Sequence, residues 1–160
     1  MAVDRLERIM TRRGGMLPEE QQQILREVGG ALLQVVPADW TEIRFTMGVT
    51  AELTSTQLEA VLDNGEVIEI APPNSPRIKL RELRAGMYHP GKGTWFTARY
   101  VIQRPTRYSV DFDFDNEPDF GMDIGFQPVP QTYTNDLKAF PRDDDHIPTW
   151  LRQKIKEAEE

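Results

Sequence analysis

The chain has 160 residues, 39% of them hydrophobic and 28% charged, with no cysteine and a net charge of −7. That length suits one domain with its own hydrophobic core. The missing cysteine excludes disulfides, Cys-type zinc sites and thiol catalysis, and no apolar run approaches the roughly 18 residues that a membrane span requires.

The N-terminus, Met1-Ala2-Val3-Asp4-Arg5-Leu6-Glu7-Arg8, carries charges where a secretory signal needs an apolar stretch, so the expected location is cytoplasmic. Leu6, Ile9 and Met10 followed by Thr11-Arg12-Arg13-Gly14-Gly15 read as a short helix or mobile arm over 1–16, ahead of a domain over 17–160. Pro18-Glu19-Glu20 opens the first firm helix, because proline suits the first turn and glutamates suit the positive end of the dipole. Ile24, Val28, Ala31, Leu32 and Val35 give it one apolar stripe, Gly29-Gly30 leave room for a close neighbour, and Pro37 stops it.

Thr41 to Val49 alternates as a strand, with Ile43, Phe45 and Met47 on one face. Leu58 to Leu62 and Val67 to Ile70 flank Asp63-Asn64-Gly65, a hairpin signal. After Pro72-Pro73-Asn74-Ser75-Pro76 a second helix is expected, with Leu80, Leu83 and Met87 inward and Arg77, Arg81 and Arg84 on other faces. Trp95 to Ile102 and Arg107 to Asp115 are two strands joined around Pro105. Residues 116–131 are irregular, Tyr133 to Phe140 suits a short helix, Pro141 to Asp145 an acidic loop, and Pro148 starts a last helix with Trp150, Leu151 and Ile155 inward. The order predicts a single α+β domain: an antiparallel sheet with helices packed on one side.

Ten acidic residues against only Lys138 and Arg142 lie between Ser109 and Asp145, so that stretch carries −8, while the remaining 17 basic and 16 acidic residues carry +1. Such a surface repels nucleic acid and draws a basic partner in quickly. Its centre is Val110-Asp111-Phe112-Asp113-Phe114-Asp115, where a strand sends the apolar residues to one face and the aspartates to the other, about 7 Å apart. Three readings stay open: a solvated face kept from aggregating by its charges, a surface for a basic protein continued by Glu117 and Asp119, or a metal or hydrolytic site. Asp-x-Asp-x-Asp binds Ca²⁺ when curled in a loop, but the glycine and final glutamate of that loop are missing, and on a strand the carboxylates diverge. Among the aromatic residues around the ladder, Phe120 and Phe126 sit beside Gly121 and Gly125 in a loop, where they serve either as interface anchors or as core.

Other chemistry is sparse. Gly86 to Thr94 nearly spells a phosphate-binding P-loop, but Gly93 stands where Ser or Thr must follow Lys92, and the loop runs from helix to strand rather than the reverse. His89 and His146 lie beside prolines in loops, with neither a nucleophile elbow nor zinc-ligand spacing.

Val36-Pro37-Ala38-Asp39-Trp40 passes straight from helix to strand. Leu83-Arg84-Ala85-Gly86-Met87-Tyr88, Pro90-Gly91-Lys92-Gly93-Thr94-Trp95-Phe96, the aspartate ladder, Phe140-Pro141-Arg142, Ile147-Pro148 and Trp150-Leu151 follow. This order of motifs resembles the YezG-like immunity (antitoxin) family, particularly its actinobacterial branch, over Pro18 to Lys156. The arm 1–16 departs from the shorter members. The resemblance implies an α+β fold, no catalytic residues, cofactor or metal, and a protein that occludes the active site of a bacterial toxin domain. In families of this kind the toxins include nucleases and NAD⁺ glycohydrolases, the latter as in tuberculosis necrotizing toxin. The expected contact surface is Asp111, Asp113, Asp115, Glu117, Asp119 and Phe120, with no nucleic acid and no membrane as partner. The competing functions are a binding subunit with a non-toxin partner and a metal-assisted hydrolase using the ladder.

Overall fold

Ile43, Phe45 and Met47 alternate with Glu42, Arg44 and Thr46, and around that alternation the sheet is built. A computed structural model describes residues 13–105, 107–121 and 128–160. The arm before Arg13 and the candidate anchor Phe126 lie outside the described residues. β1 (Trp40–Val49) is the central strand of a five-stranded antiparallel sheet with β2 (Thr54–Leu62), β3 (Val67–Ile70), β4 (Thr97–Gln103) and β5 (Arg107–Asp113), in the order β3-β2-β1-β4-β5. Phe45 lies between Leu58 and Tyr100, and Ile43 between Ala60 and Ile102. Helices α1 (Pro18–Leu33) and α2 (Asn74–Gly86) cover this apolar face, and Val28, Leu32, Leu80 and Leu83 are fully buried in one core with the strand residues. Fully burying such side chains is worth roughly 1.5–3 kcal/mol each. The predicted α+β architecture is the one observed.

Helices α3 (Gln131–Ala139) and α4 (Thr149–Ala158) pack on each other and on Phe96, where Tyr133 and Leu151 complete a second, smaller apolar cluster. A single 3₁₀ turn, Asp144–His146, precedes α4. Among the described residues no helix is long and apolar enough to cross a membrane.

The local signals act as their chemistry requires. Gly65 adopts φ +85° in the β2–β3 turn, which the Leu62 N–H closes on the Glu66 carbonyl at 2.8 Å. The last residues of the predicted arm dock on α2: Gly14 N–H donates to the Ala85 carbonyl at 2.7 Å, and Met16 is buried against Gly86. The adjacent glycines of α1 differ in role. Tyr100 Oη donates to the Leu25 carbonyl at 2.7 Å, and a Cβ on Gly29 would lie 2.6 Å from that oxygen. Gly29 is therefore the residue that lets β4 reach α1. A Cβ on Gly30 would meet none of the described residues within 4 Å.

Three expectations are corrected. The fifth strand stops at Asp113 rather than Asp115, because the chain bends at Phe114. The fourth begins at Thr97, since the Trp95 carbonyl is taken by an arginine side chain. That arginine is Arg84, expected on an outer face of α2 but 2% exposed; a buried carboxylate and two aromatic rings receive it.

Gly29→Ala should lower stability by about 1–3 kcal/mol, because its methyl displaces a buried tyrosine. Gly30→Ala should raise it by about 1 kcal/mol through helix propensity alone. Urea unfolding of the two variants checks the contrast in sign.

Candidate functional site

β5 delivers the ladder as its alternation dictates. Val110, Phe112 and Phe114 pack against the core, with the Phe112 ring centroid 5.2 Å from that of Trp95. Asp111 and Asp113 share the opposite, polar face of the sheet, where the register sets Asp111 opposite Arg99 and Asp113 opposite Thr97. The same face carries Glu42, Arg44, Gln57 and Glu59, half-buried or exposed.

The ladder then breaks. Asp113 Oδ1 accepts the backbone N–H groups of Asp115 and Asn116, both at 3.0 Å, and Oδ2 accepts Asn116 Nδ2 at 2.8 Å. Partial burial works to raise the Asp113 pKa, but these hydrogen bonds outweigh it and hold the carboxyl below its ordinary value. Asp113 is thus committed to the turn. Asp115 is exposed, and its carbonyl accepts Trp150 Nε1 at 2.7 Å. Glu117 pairs with Lys154 at 3.5 Å and Asp119 with Arg99 at 3.3 Å, all four side chains partly in water. Glu117 also reaches the Tyr133 phenol electrostatically; burial first and that charge second push its pKa up to about 12.

Residues 118–120 cross one end of the polar face. Asp119 N–H donates to Thr97 Oγ1 at 2.9 Å, and Ser55 Oγ donates to the Phe120 carbonyl at 2.7 Å. Beneath them lies Gly48, whose absent Cβ would collide with the Asp119 carbonyl. Phe120, a candidate anchor, is 7% exposed and packs beside Gly48. Of the six expected contact residues, Asp111, Asp115, Glu117 and Asp119 are exposed, Asp113 is tied to a turn, and Phe120 is buried.

A buried pair that the sequence did not reveal joins α2 to α3. Arg84 NH1 and NH2 donate to the two oxygens of Asp136 at 2.8 and 3.0 Å, and Nε donates to the Trp95 carbonyl at 2.7 Å. The guanidinium sits 4.8 Å from the Phe140 ring centroid and 5.5 Å from that of Phe96. Asp136 Oδ1 also accepts Ala51 N–H at 2.7 Å. Both side chains are 3–4% exposed. Position gave the available signal: Arg84 stands four residues after Leu80, and Asp136 three after Tyr133, so each falls on its helix's buried stripe.

Arg142 extends the framework. It donates through NH2 to the carbonyls of Thr94 at 2.9 Å and Phe114 at 2.8 Å, and through NH1 to that of His146 at 3.1 Å. Burial lowers its pKa, opposed by the charges of Asp136 and Asp115. The P-loop-like segment is a turn clamped from the same side. Lys92 and Gly93 spend their N–H groups on the His89 carbonyl, and Asp143 N–H donates to that of Gly91 at 2.6 Å. Among the described residues no three His, Asp or Glu side chains are placed to hold a metal ion.

No family model matches the chain, and no curated protein matches it in sequence.

Asp136→Ala should cost about 3–5 kcal/mol in urea unfolding, because Arg84 is left buried and unpaired. Arg84→Met with Asp136→Leu should recover most of that loss. Asp113 binds its proton less readily folded than unfolded, so its contribution is present above the ordinary carboxyl pKa and fades as pH falls through the lowered folded value. The stability gap between the native chain and Asp113→Ala should therefore be open at neutral pH and close in acid, read from unfolding curves across that range.

Proposed function

We propose that the chain is an immunity protein of the YezG-like kind, which binds a bacterial toxin domain and covers its active site without chemistry of its own. The observation that carries the reading is the band Asp111, Asp115, Glu117 and Asp119. These carboxylates project from a segment held by its pairing with β4, by Arg142 and Trp150 on the Phe114 and Asp115 carbonyls, and by Thr97 and Ser55 on residues 119 and 120, rather than from a loose loop. A toxin acting on nucleic acid or on the pyrophosphate of NAD⁺ needs a positive cleft, and a held array of carboxylates competes for such a cleft. Ordering costs are already met in the fold, so more of the contact energy remains as affinity. The commitment of Asp113 to its turn favours this reading over a metal-assisted hydrolase, which would draw its central ligand from the ladder.

The direct test is co-expression with the product of the neighbouring gene, read as growth in the presence of that product and as co-purification. The electrostatic part is tested separately by association kinetics with that toxin domain. Asp111→Lys, Glu117→Lys and Asp119→Lys combined should slow association about tenfold or more at low salt, with a smaller effect at high salt. Glu19→Lys on α1 should leave the rate nearly unchanged. Equal association rates for native and triply reversed chains would remove this surface from the contact.

A further inference from the structure

Gly29 is accounted for by Tyr100, but Gly30 is not accounted for by anything among the described residues. It is exposed, its φ lies outside the positive range that favours glycine, and a Cβ there would enter open space. Glycine inside a helix costs about 1 kcal/mol relative to alanine, so α1 gives up stability at Gly30 with no return among the described residues. What Gly30 does adjoin is a groove of about 280 Å³ between α1 and the ends of β4 and β5. Trp40, Tyr100 and Ile102 form its buried floor, and Leu33 and Tyr108, 45% and 37% exposed, form its walls. Tyr108 is held upright: its ring stacks on Tyr100 with centroids 5.5 Å apart and planes 5° from parallel, and its hydroxyl donates to Gln22 Oε1 at 2.8 Å.

Among the described residues, Arg26 is the charged side chain that joins this apolar lining. It donates to the neutral amide oxygen of Gln23 at 2.8 Å, which leaves guanidinium N–H groups to meet an anion. We propose that the groove binds a small planar organic anion, its ring laid on the bare backbone of Gly30 between Leu33 and Tyr108 and its acid group on Arg26. The volume lies near the lower end of small-molecule sites, about 300–1,000 Å³, and suits one or two fused rings. A side chain at position 30 would occupy the space that the ring needs. The site lies on the helix-covered side of the sheet, away from the acidic band, and is independent of the toxin reading.

Two dyes with one ring system test it on the full chain: 8-anilinonaphthalene-1-sulfonate and its uncharged parent, N-phenyl-1-naphthylamine. The native chain should enhance the fluorescence of both saturably. Gly30→Leu should weaken both about tenfold or more while its unfolding midpoint stays level or rises, since leucine is the better helix former. Arg26→Gln should weaken the sulfonate about fivefold and leave the parent unchanged, the scale of an exposed ion pair; this arm stands whether or not the leucine variant folds. The proposal is overturned by any of three results: no saturable enhancement by the native chain, undiminished dye affinity in a folded Gly30→Leu, or an Arg26→Gln effect equal for the two dyes.

Discussion

Arg84 and Asp136 enter the interior together, and four separate stretches of chain are set by that fact. Arg84 comes from the last turn of α2, Asp136 from α3, the Trp95 carbonyl from the approach to β4, and the Ala51 N–H from the β1–β2 connection. Desolvating two charges costs several kcal/mol per ion even after relaxation, and only a two-pronged contact with the remaining donors and acceptors satisfied offsets it. Arg84 Nε and Asp136 Oδ1 both have such further partners. The pair adds less to net stability than it adds to position: a shifted α3 would strand both charges, so the two apolar clusters are docked in one arrangement.

Beside that pair, Arg142 and Trp150 hold the acidic segment. Phe96, under the Arg84 guanidinium, also lies 5.0 Å below Arg142, which reaches the Phe114 carbonyl. Trp150 stands edge-on to Phe96 and Tyr133 and donates to the Asp115 carbonyl. Backbone carbonyls of the ladder, rather than its carboxylates, therefore receive the structural hydrogen bonds at Phe114 and Asp115. The carboxylates of Asp111 and Asp115 are left in water, where they set a field instead of a contact.

The sheet was legible because alternation over β1 and the Asn-Gly turn are short-range signals that burial of one face reinforces. The double glycine of α1 was half legible: close approach to a strand explains Gly29, whereas Gly30 has no such partner among the described residues. Arg84 was misplaced on a face other than that of Leu80, Leu83 and Met87, although its spacing from Leu80 puts it on the buried stripe. Its partner lies 52 positions away, and no local pattern reports a pairing at that range. The break after Asp113 was hidden for the opposite reason. Strict alternation of Asp with Phe and Val continues to Asp115, but an aspartate can hydrogen-bond the N–H groups just after it, and this competes with extension of the strand.

The acidic residues of 109–145 consequently do different work, although composition counts them alike. Asp136 neutralises a buried cation, Asp113 shapes a turn, and Glu117 and Asp119 are partly screened by Lys154 and Arg99. Exposed ion pairs of that kind contribute little to stability, about 0–1 kcal/mol, and exchange readily for a stronger partner. A basic surface approaching this band meets two carboxylates that water alone covers, Asp111 and Asp115, and two whose present cations it can displace. The charge that the segment presents to solvent thus comes from the carboxylates that folding leaves uncommitted, and Asp113, committed to its turn, shapes the backbone that carries Asp115.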